Sequence, residues 1–213
     1  MNDDLVRRRD ALLEAVLPEI AFEGWTDKAV EAGTAAAGIA AGEAAALFPG
    51  GVAALREFLD DWADRRMVEA LRASDLAALR LHQRVALGVK LRLRVLAPWR
   101  EPVRAALAAR LRPSGPLAAA RAVWRTADLI WWEAGDGATD FNFYTKRALL
   151  SAVLADTLLY WLGDASPDAA DSETYVDRRI ADAGRITRFR RRAETIAGRC
   201  LTQLSQIRRE IRL

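Results

Sequence analysis

Apolar residues in this 213-residue chain recur every third or fourth position almost from end to end, and no stretch alternates apolar and polar residues over the length of a strand. A half-buried sheet needs the second pattern, so the chain is read as all-α. Glycine and proline divide it. Helices are predicted near 5–22, 27–37, 42–48, 52–73, 75–96, 99–111, 116–134, 141–162, 168–183 and 190–212, about ten in all. Breaks fall at Gly24, Gly38, Pro49-Gly50-Gly51, Pro98, Pro113-Ser114-Gly115-Pro116, Gly135-Asp136-Gly137, Gly163 and Gly184. Ser74 is expected to cap the fifth helix by accepting from a first-turn amide, and Gly135 to take the positive φ of a C′ residue.

Composition then narrows the chemistry. With 52% hydrophobic and 29% charged residues the chain can bury a real core. A single histidine, His82, excludes His-rich zinc and di-iron sites, and a single cysteine, Cys200, excludes an intramolecular disulfide. His82 reads as a packed or surface histidine and Cys200 as a small apolar filler. An all-carboxylate magnesium site survives this count. Asp60-Asp61-Trp62-Ala63-Asp64 matches the Asp-Asp-x-x-Asp pattern with which prenyl synthases hold magnesium and a diphosphate, so a magnesium-dependent prenyl-diphosphate enzyme is one alternative. Against it, Leu55, Phe58, Leu59 and Trp62 define a core stripe that puts the acids on a solvated face, and no second aspartate-rich motif follows. No catalytic residue, metal or cofactor is assigned.

Charge is polarised along the chain. Residues 20–64 carry a net charge of −6, whereas residues 178–213 hold 11 arginines and a net of +8, so an anionic partner should meet the C-terminal end first. Asp3, Asp4, Asp10 and Glu14 among the first basic residues give the N-terminus neither an acid-poor transit segment nor an apolar signal core. The expectation is a chain that starts directly with its first helix in a cytoplasm. The longest apolar stretch, Ala148 to Leu162, contains Asp156 and falls short of the roughly 18–20 residues of a membrane span.

Residues 11–50 run helix, Phe22-Glu23-Gly24-Trp25-Thr26 corner, helix, Ala37-Gly38-Ile39 turn, short helix, Phe48-Pro49. This resembles the three-helix head of the TetR repressor fold. The helix that would read DNA offers Gly-Glu-Ala-Ala-Ala-Leu-Phe at 42–48, with no donor for phosphate or base edges, so no nucleic-acid partner is expected. A ligand-responsive TetR-type regulator is the competing class.

The segment 124–147 gathers Trp124, Asp128, Trp131, Trp132, Asp136, Asp140, Phe141, Asn142, Phe143, Tyr144 and Lys146 around one helix corner. Large aromatics mixed with Asp and Asn suit an interface hot spot, while a plainer reading makes Phe141, Tyr144 and Ala148 core and Thr139 or Asp140 an N-cap. Trp-x-x-Ala-Gly-Asp-x-x-Thr-Asp-Phe-Asn-x-Tyr-Thr-basic-Arg-Ala, present as Trp131 to Ala148 and followed by Ser166-Pro167-Asp168, closely resembles the coenzyme Q biosynthesis protein nine family, over roughly residues 10–185. Phe143 stands where that family usually has Trp.

The resemblance implies a TetR-like helical bundle and a non-enzymatic, lipid-binding accessory protein of ubiquinone biosynthesis. Such a protein presents an isoprenoid intermediate to the di-iron hydroxylase of the pathway. Its implied organisation is a helix-turn-helix-like head at 1–50, a helical lipid-binding domain at 51–185 and a basic amphipathic C-terminal helix at 186–213. An isoprenoid or phospholipid pocket is expected around Leu91, Val95, Leu149, Val153, Leu154, Leu158 and Trp161, because the second half of 141–162 is apolar on nearly all sides and needs cover. The partner surface is expected at Trp132, Asp136, Asp140, Asn142, Phe143, Tyr144 and Lys146. Ile196, Cys200, Leu204, Ile207 and Ile211 share one helical face, with Arg192, Arg199 and Arg208 on the remainder, which predicts peripheral attachment to an anionic membrane surface. The expected location is a bacterial cytoplasm beside the inner membrane, and a homodimer is compatible with this reading.

Overall fold

The computed structural model describes residues 3–110, 115–136 and 141–185, apart from the side chains of Phe141 and Asn142. It is all-α, with no strand among the described residues. In chain order the helices are α1 (Asp3–Glu23), α2 (Asp27–Ala36), α3 (Ala41–Leu47), α4 (Gly51–Arg72), α5 (Leu81–Leu96), α6 (Arg100–Arg110), α7 (Gly115–Glu133), α8 (Phe141–Gly163) and α9 (170–185). Short 3-10 turns at Ala97–Trp99 and Pro167–Ala169 introduce α6 and α9. The C-terminal helix expected at 190–212 lies outside the described residues.

The first three helices form the head. Thr26 caps α2 by accepting from the Ala29 amide at 3.2 Å, and Trp25 anchors the corner to the body by donating its indole N–H to the Pro102 carbonyl at 2.9 Å. Gly33 lets α2 lie directly on α1, since a Cβ there would sit 2.6 Å from the Val16 Cα. One hydrophobic core runs without interruption from Leu12, Leu13 and Val16 through Leu55, Met67, Val89 and Ile130 to Val176. Head and body therefore share that core across residue 50.

The fifth helix starts later than the sequence suggested. Ser74 does not cap it: the hydroxyl donates back to the Ala70 carbonyl at 2.8 Å and the amide closes α4 on Leu71. The chain turns through Asp75–Leu79 instead. α5 begins only where the Gln83 side chain accepts from the Arg80 amide at 2.9 Å, satisfying a donor that the helix start would leave bare.

Candidate functional site

The α7–α8 corner is built by backbone geometry first. Gly135 takes φ +89°, and the Asp136 amide donates to the Trp131 carbonyl at 3.0 Å, the six-to-one bond of a Schellman motif. Arg84, on α5, holds this end from outside by donating to the Ala134 carbonyl at 3.2 Å. α8 is pinned by Arg147, which is only 2% exposed. Its guanidinium pairs with Asp128 of α7 at 2.5 Å and lies against the Phe143 ring. The Trp131 indole donates to the Lys146 carbonyl at 3.2 Å, and Lys146 pairs with Asp136 at 2.7 Å.

Two aromatic side chains project from this corner. Trp132 is 72% exposed and Tyr144 is 63% exposed, the latter between the rings of Trp124 and Phe143. The plain core reading of Tyr144 and Ala148 is thereby overturned, because that face of α8 points outward. Phe143 is half-buried beneath Tyr144. Asp136 was expected on the surface, but its side chain is only 6% exposed, because the carboxylate is drawn under Lys146 toward Arg147. Asp140 and the side chain of Asn142 lie outside the described residues.

Behind the aromatic pair a cavity of about 210 Å³ opens between α5, α7, α8 and α9. Val85, Leu149, Leu150, Val153 and Ile180 make most of its wall, with Trp131, Lys146, His82, Ala183 and Gly184 completing it. Of the expected lipid-contacting residues, Leu149 and Val153 stand here. Leu91, Val95, Leu154, Leu158 and Trp161 pack elsewhere: Leu158 borders a gap of about 20 Å³ beside Asp60 and Arg92, and Trp161 is sealed under the Arg100 guanidinium. The large apolar side chains in the C-terminal half of α8 thus pack into or against the core, except at exposed Leu159 and Tyr160.

The α9 wall is positioned by one carboxylate. Asp164 accepts from the amides of Ser166 and Ser172, each at 2.8 Å, and from the Ser172 hydroxyl at 2.5 Å, while the Ser166 hydroxyl accepts from the Asp171 amide. Hydrogen bonds from Ser166 and then Ser172 hold the Asp164 pKa well below the ordinary carboxylate range. A depressed folded pKa stabilises the fold above the unfolded value, and that contribution is lost as pH falls through the folded value. Urea titrations of wild type and Asp164→Asn should therefore differ fully at pH 7 and converge as pH drops below about 4. A difference that does not change with pH would mean that the charge contributes nothing.

The Asp-Asp-x-x-Asp motif is not a solvated face. Asp64 is 1% exposed and accepts from Arg92 at 3.0 Å, Arg125 at 3.2 Å and the Thr126 hydroxyl at 2.8 Å. Asp60 pairs with Arg92 at 3.0 Å and with Arg110, and Asp61 pairs with Arg65 at 3.1 Å. Arginines from α5, α6 and α7 consume the oxygens that a magnesium ion would need. The same pairing revises the charge map of the front end: Glu23 is matched by Lys28 and Glu43 by Arg8, leaving Asp27, Glu31 and Glu57 without an ion pair among the described residues.

Among the described residues no helix is long and apolar enough to cross a membrane. Arg192, Ile196, Arg199, Cys200, Leu204, Ile207, Arg208 and Ile211 lie outside the described residues.

This is a TetR-like helical fold with an apolar cavity in its body. A TetR transcriptional regulator from Nitrosomonas europaea superposes with a TM-score of 0.70 at 19% identity, covering 84% of this chain and 98% of that one. Residues 117–187 match the COQ9 family model, a span that holds the aromatic pair and every cavity residue except His82 and Val85. Human mitochondrial ubiquinone biosynthesis protein COQ9 is 29% identical over 178 residues, and the rat protein of the same name 30% identical over 178 residues; each alignment covers 81% of this chain. The chain carries a COQ9-family segment at residues 117–187. It spans a little over half the length of these relatives, 56% of the human and 57% of the rat protein.

Proposed function

We propose that the chain is a non-enzymatic accessory protein of ubiquinone biosynthesis that binds an isoprenoid intermediate and presents it to the pathway's di-iron hydroxylase at a membrane surface. One observation carries this reading: the apolar cavity and the exposed aromatic pair share a helix corner. Trp131 lines the cavity while its neighbour Trp132 faces solvent, and Lys146 lines the cavity two residues after exposed Tyr144. A lipid leaving the cavity there would emerge beside a surface suited to an interface hot spot. Solvent extraction and native mass spectrometry of the purified full chain should find an isoprenoid or phospholipid, displaced in Leu149→Trp. A consistently ligand-free wild type would overturn the reading.

The C-terminal residues supply the proposed membrane contact. Arginines near an anionic surface contribute about 1 kcal/mol each before screening. The full chain should float with anionic liposomes and not with neutral ones, lose binding as salt rises, and lose it altogether when residues 190–213 are deleted. Equal flotation of the deletion would assign the tail a purely structural role. The regulator reading would require operator contacts from α3, whose Glu43 is committed to Arg8.

A further inference from the structure

We propose that the groove of about 250 Å³ in the head, between α2, α3 and the start of α4, docks residues 204–212 of this chain's own C-terminal segment and so holds them away from a membrane surface. The docking is independent of lipid binding; its competition with a membrane rests on the membrane contact proposed above.

The groove exists because α3 is short of side chain. Ala41, Ala44 and Ala45 reach it with single methyl groups, so the space over buried Leu12, Phe48 and Leu55 stays unfilled. An apolar gap of this size takes large aliphatic side chains, since about 150 Å³ already holds benzene. Asp27 and Glu31 stand on its α2 side, both exposed, one helical turn apart and without an ion pair among the described residues. Like charges at that spacing repel, which a cation would relieve and an anionic headgroup or a phosphate backbone would worsen. The fitting occupant is therefore cationic and carries aliphatic anchors.

The chain supplies one. Residues 186–213 hold eight arginines against Glu194 and Glu210, a net charge of +6. By helical spacing Leu204, Ile207 and Ile211 share one face, and Arg208 and Arg212 flank it four residues apart, the same interval as Asp27 and Glu31. Two arginines can thus meet two carboxylates while the apolar stripe enters the groove.

Reach selects the distal part of the segment. The groove lies at the start of α4, whereas α9 ends near the other end: Ala183 and Gly184 line the body cavity with Val85, and Leu71 of the last α4 turn packs at Gly88. The 22 residues of α4 put about 33 Å between the two. From residue 185 the chain covers that distance in about 20 residues as helix or about ten when extended, so residues 204–212 can reach the groove either way.

Photo-crosslinking of the full chain with p-benzoylphenylalanine in place of Gln203, at the edge of the stripe, tests the docking. Peptide mapping should find crosslinks within one chain, on residues 27–34 and 41–55. Asp27→Lys combined with Glu31→Lys should cut their yield about fivefold or more, and adding Arg208→Glu and Arg212→Glu should restore it. Both acids are exposed, so melting curves should show that the head variant stays folded. Phosphatidylglycerol vesicles should lower the yield and phosphatidylcholine vesicles should not, and the head variant should float at a lower anionic-lipid content than wild type. Crosslinks on the body, or none in the head, would overturn the docking. Crosslinks to a second chain would overturn the intramolecular latch. Groove crosslinks unchanged by anionic vesicles that do float wild type would overturn the competition. If neither wild type nor the head variant floats, the membrane reading falls and the competition with it, while groove crosslinks would still support the docking.

Discussion

Asp64→Ala is expected to lower the unfolding free energy by about 3–5 kcal/mol, because it leaves Arg92 buried with one of its two carboxylates gone and leaves the Thr126 hydroxyl with the Ala122 carbonyl alone. At about 2–4 °C per kcal/mol for a chain of this size, the melting temperature should fall by roughly 6–20 °C. Asp61→Ala is the internal control. Its partner Arg65 keeps Asp10 at 2.6 Å, and the Asp61 side chain is more than a third exposed, so its loss should cost no more than about 1 kcal/mol. Urea titration of both variants checks the contrast, and equal losses would refute the buried network. Magnesium should leave the wild-type melting curve unchanged, because the three acids are already committed to arginine.

Tyr144→Ala should weaken capture of the di-iron hydroxylase by about 30-fold or more, equivalent to about 2 kcal/mol, with an unchanged melting temperature. Tyr144 is mostly exposed, so truncation opens no cavity in the fold. Trp132→Ala should behave alike. A core aromatic would behave differently: Trp161→Ala should cost about 3–5 kcal/mol of folding free energy, since that side chain is only 1% exposed. Surface-plasmon capture and calorimetric melting, run on the same preparations, separate the two outcomes. Intact capture by both Tyr144→Ala and Trp132→Ala would remove the corner from the interface.

Most element boundaries, the start of α5 excepted, were legible because helical periodicity and Gly/Pro punctuation are local signals, and Gly135 takes the positive φ that its position required. What stayed hidden depends on contacts distant in sequence. Asp64 looks like a member of an acidic surface run until Arg92 and Arg125 are brought to it from 28 and 61 residues away. Ser74 has the right side chain for a cap, but the Ala70 carbonyl four residues back competed for it and won. Of the residues expected to touch a lipid, Leu149 and Val153 line the cavity, and the others lie further along α8 or on α5. Hydropathy ranks Leu154, Leu158 and Trp161 above Lys146, yet whether a side chain faces a void or a neighbour depends on how α9 docks, which Asp164 and its serines fix. Ile180 and Ala183 follow Val176 at helical spacing and could have been marked as an inward stripe, though not as a cavity wall. Arg147 was read as part of a motif, and its burial against Asp128 and Phe143 became visible only in the packed corner.

On the proposed reading, a lipid occupies the space between α5, α7, α8 and α9 and is handed over at the neighbouring aromatic corner. Photo-crosslinking the full chain with a diazirine-bearing isoprenoid, followed by peptide mapping, tests it most directly. Labels should concentrate on Leu149, Val153 and Ile180 and on the surface around Trp132 and Tyr144, and fall in Leu149→Trp. Labels spread over the head, or confined to α8 residues remote from the cavity such as Leu159 and Tyr160, would contradict the account.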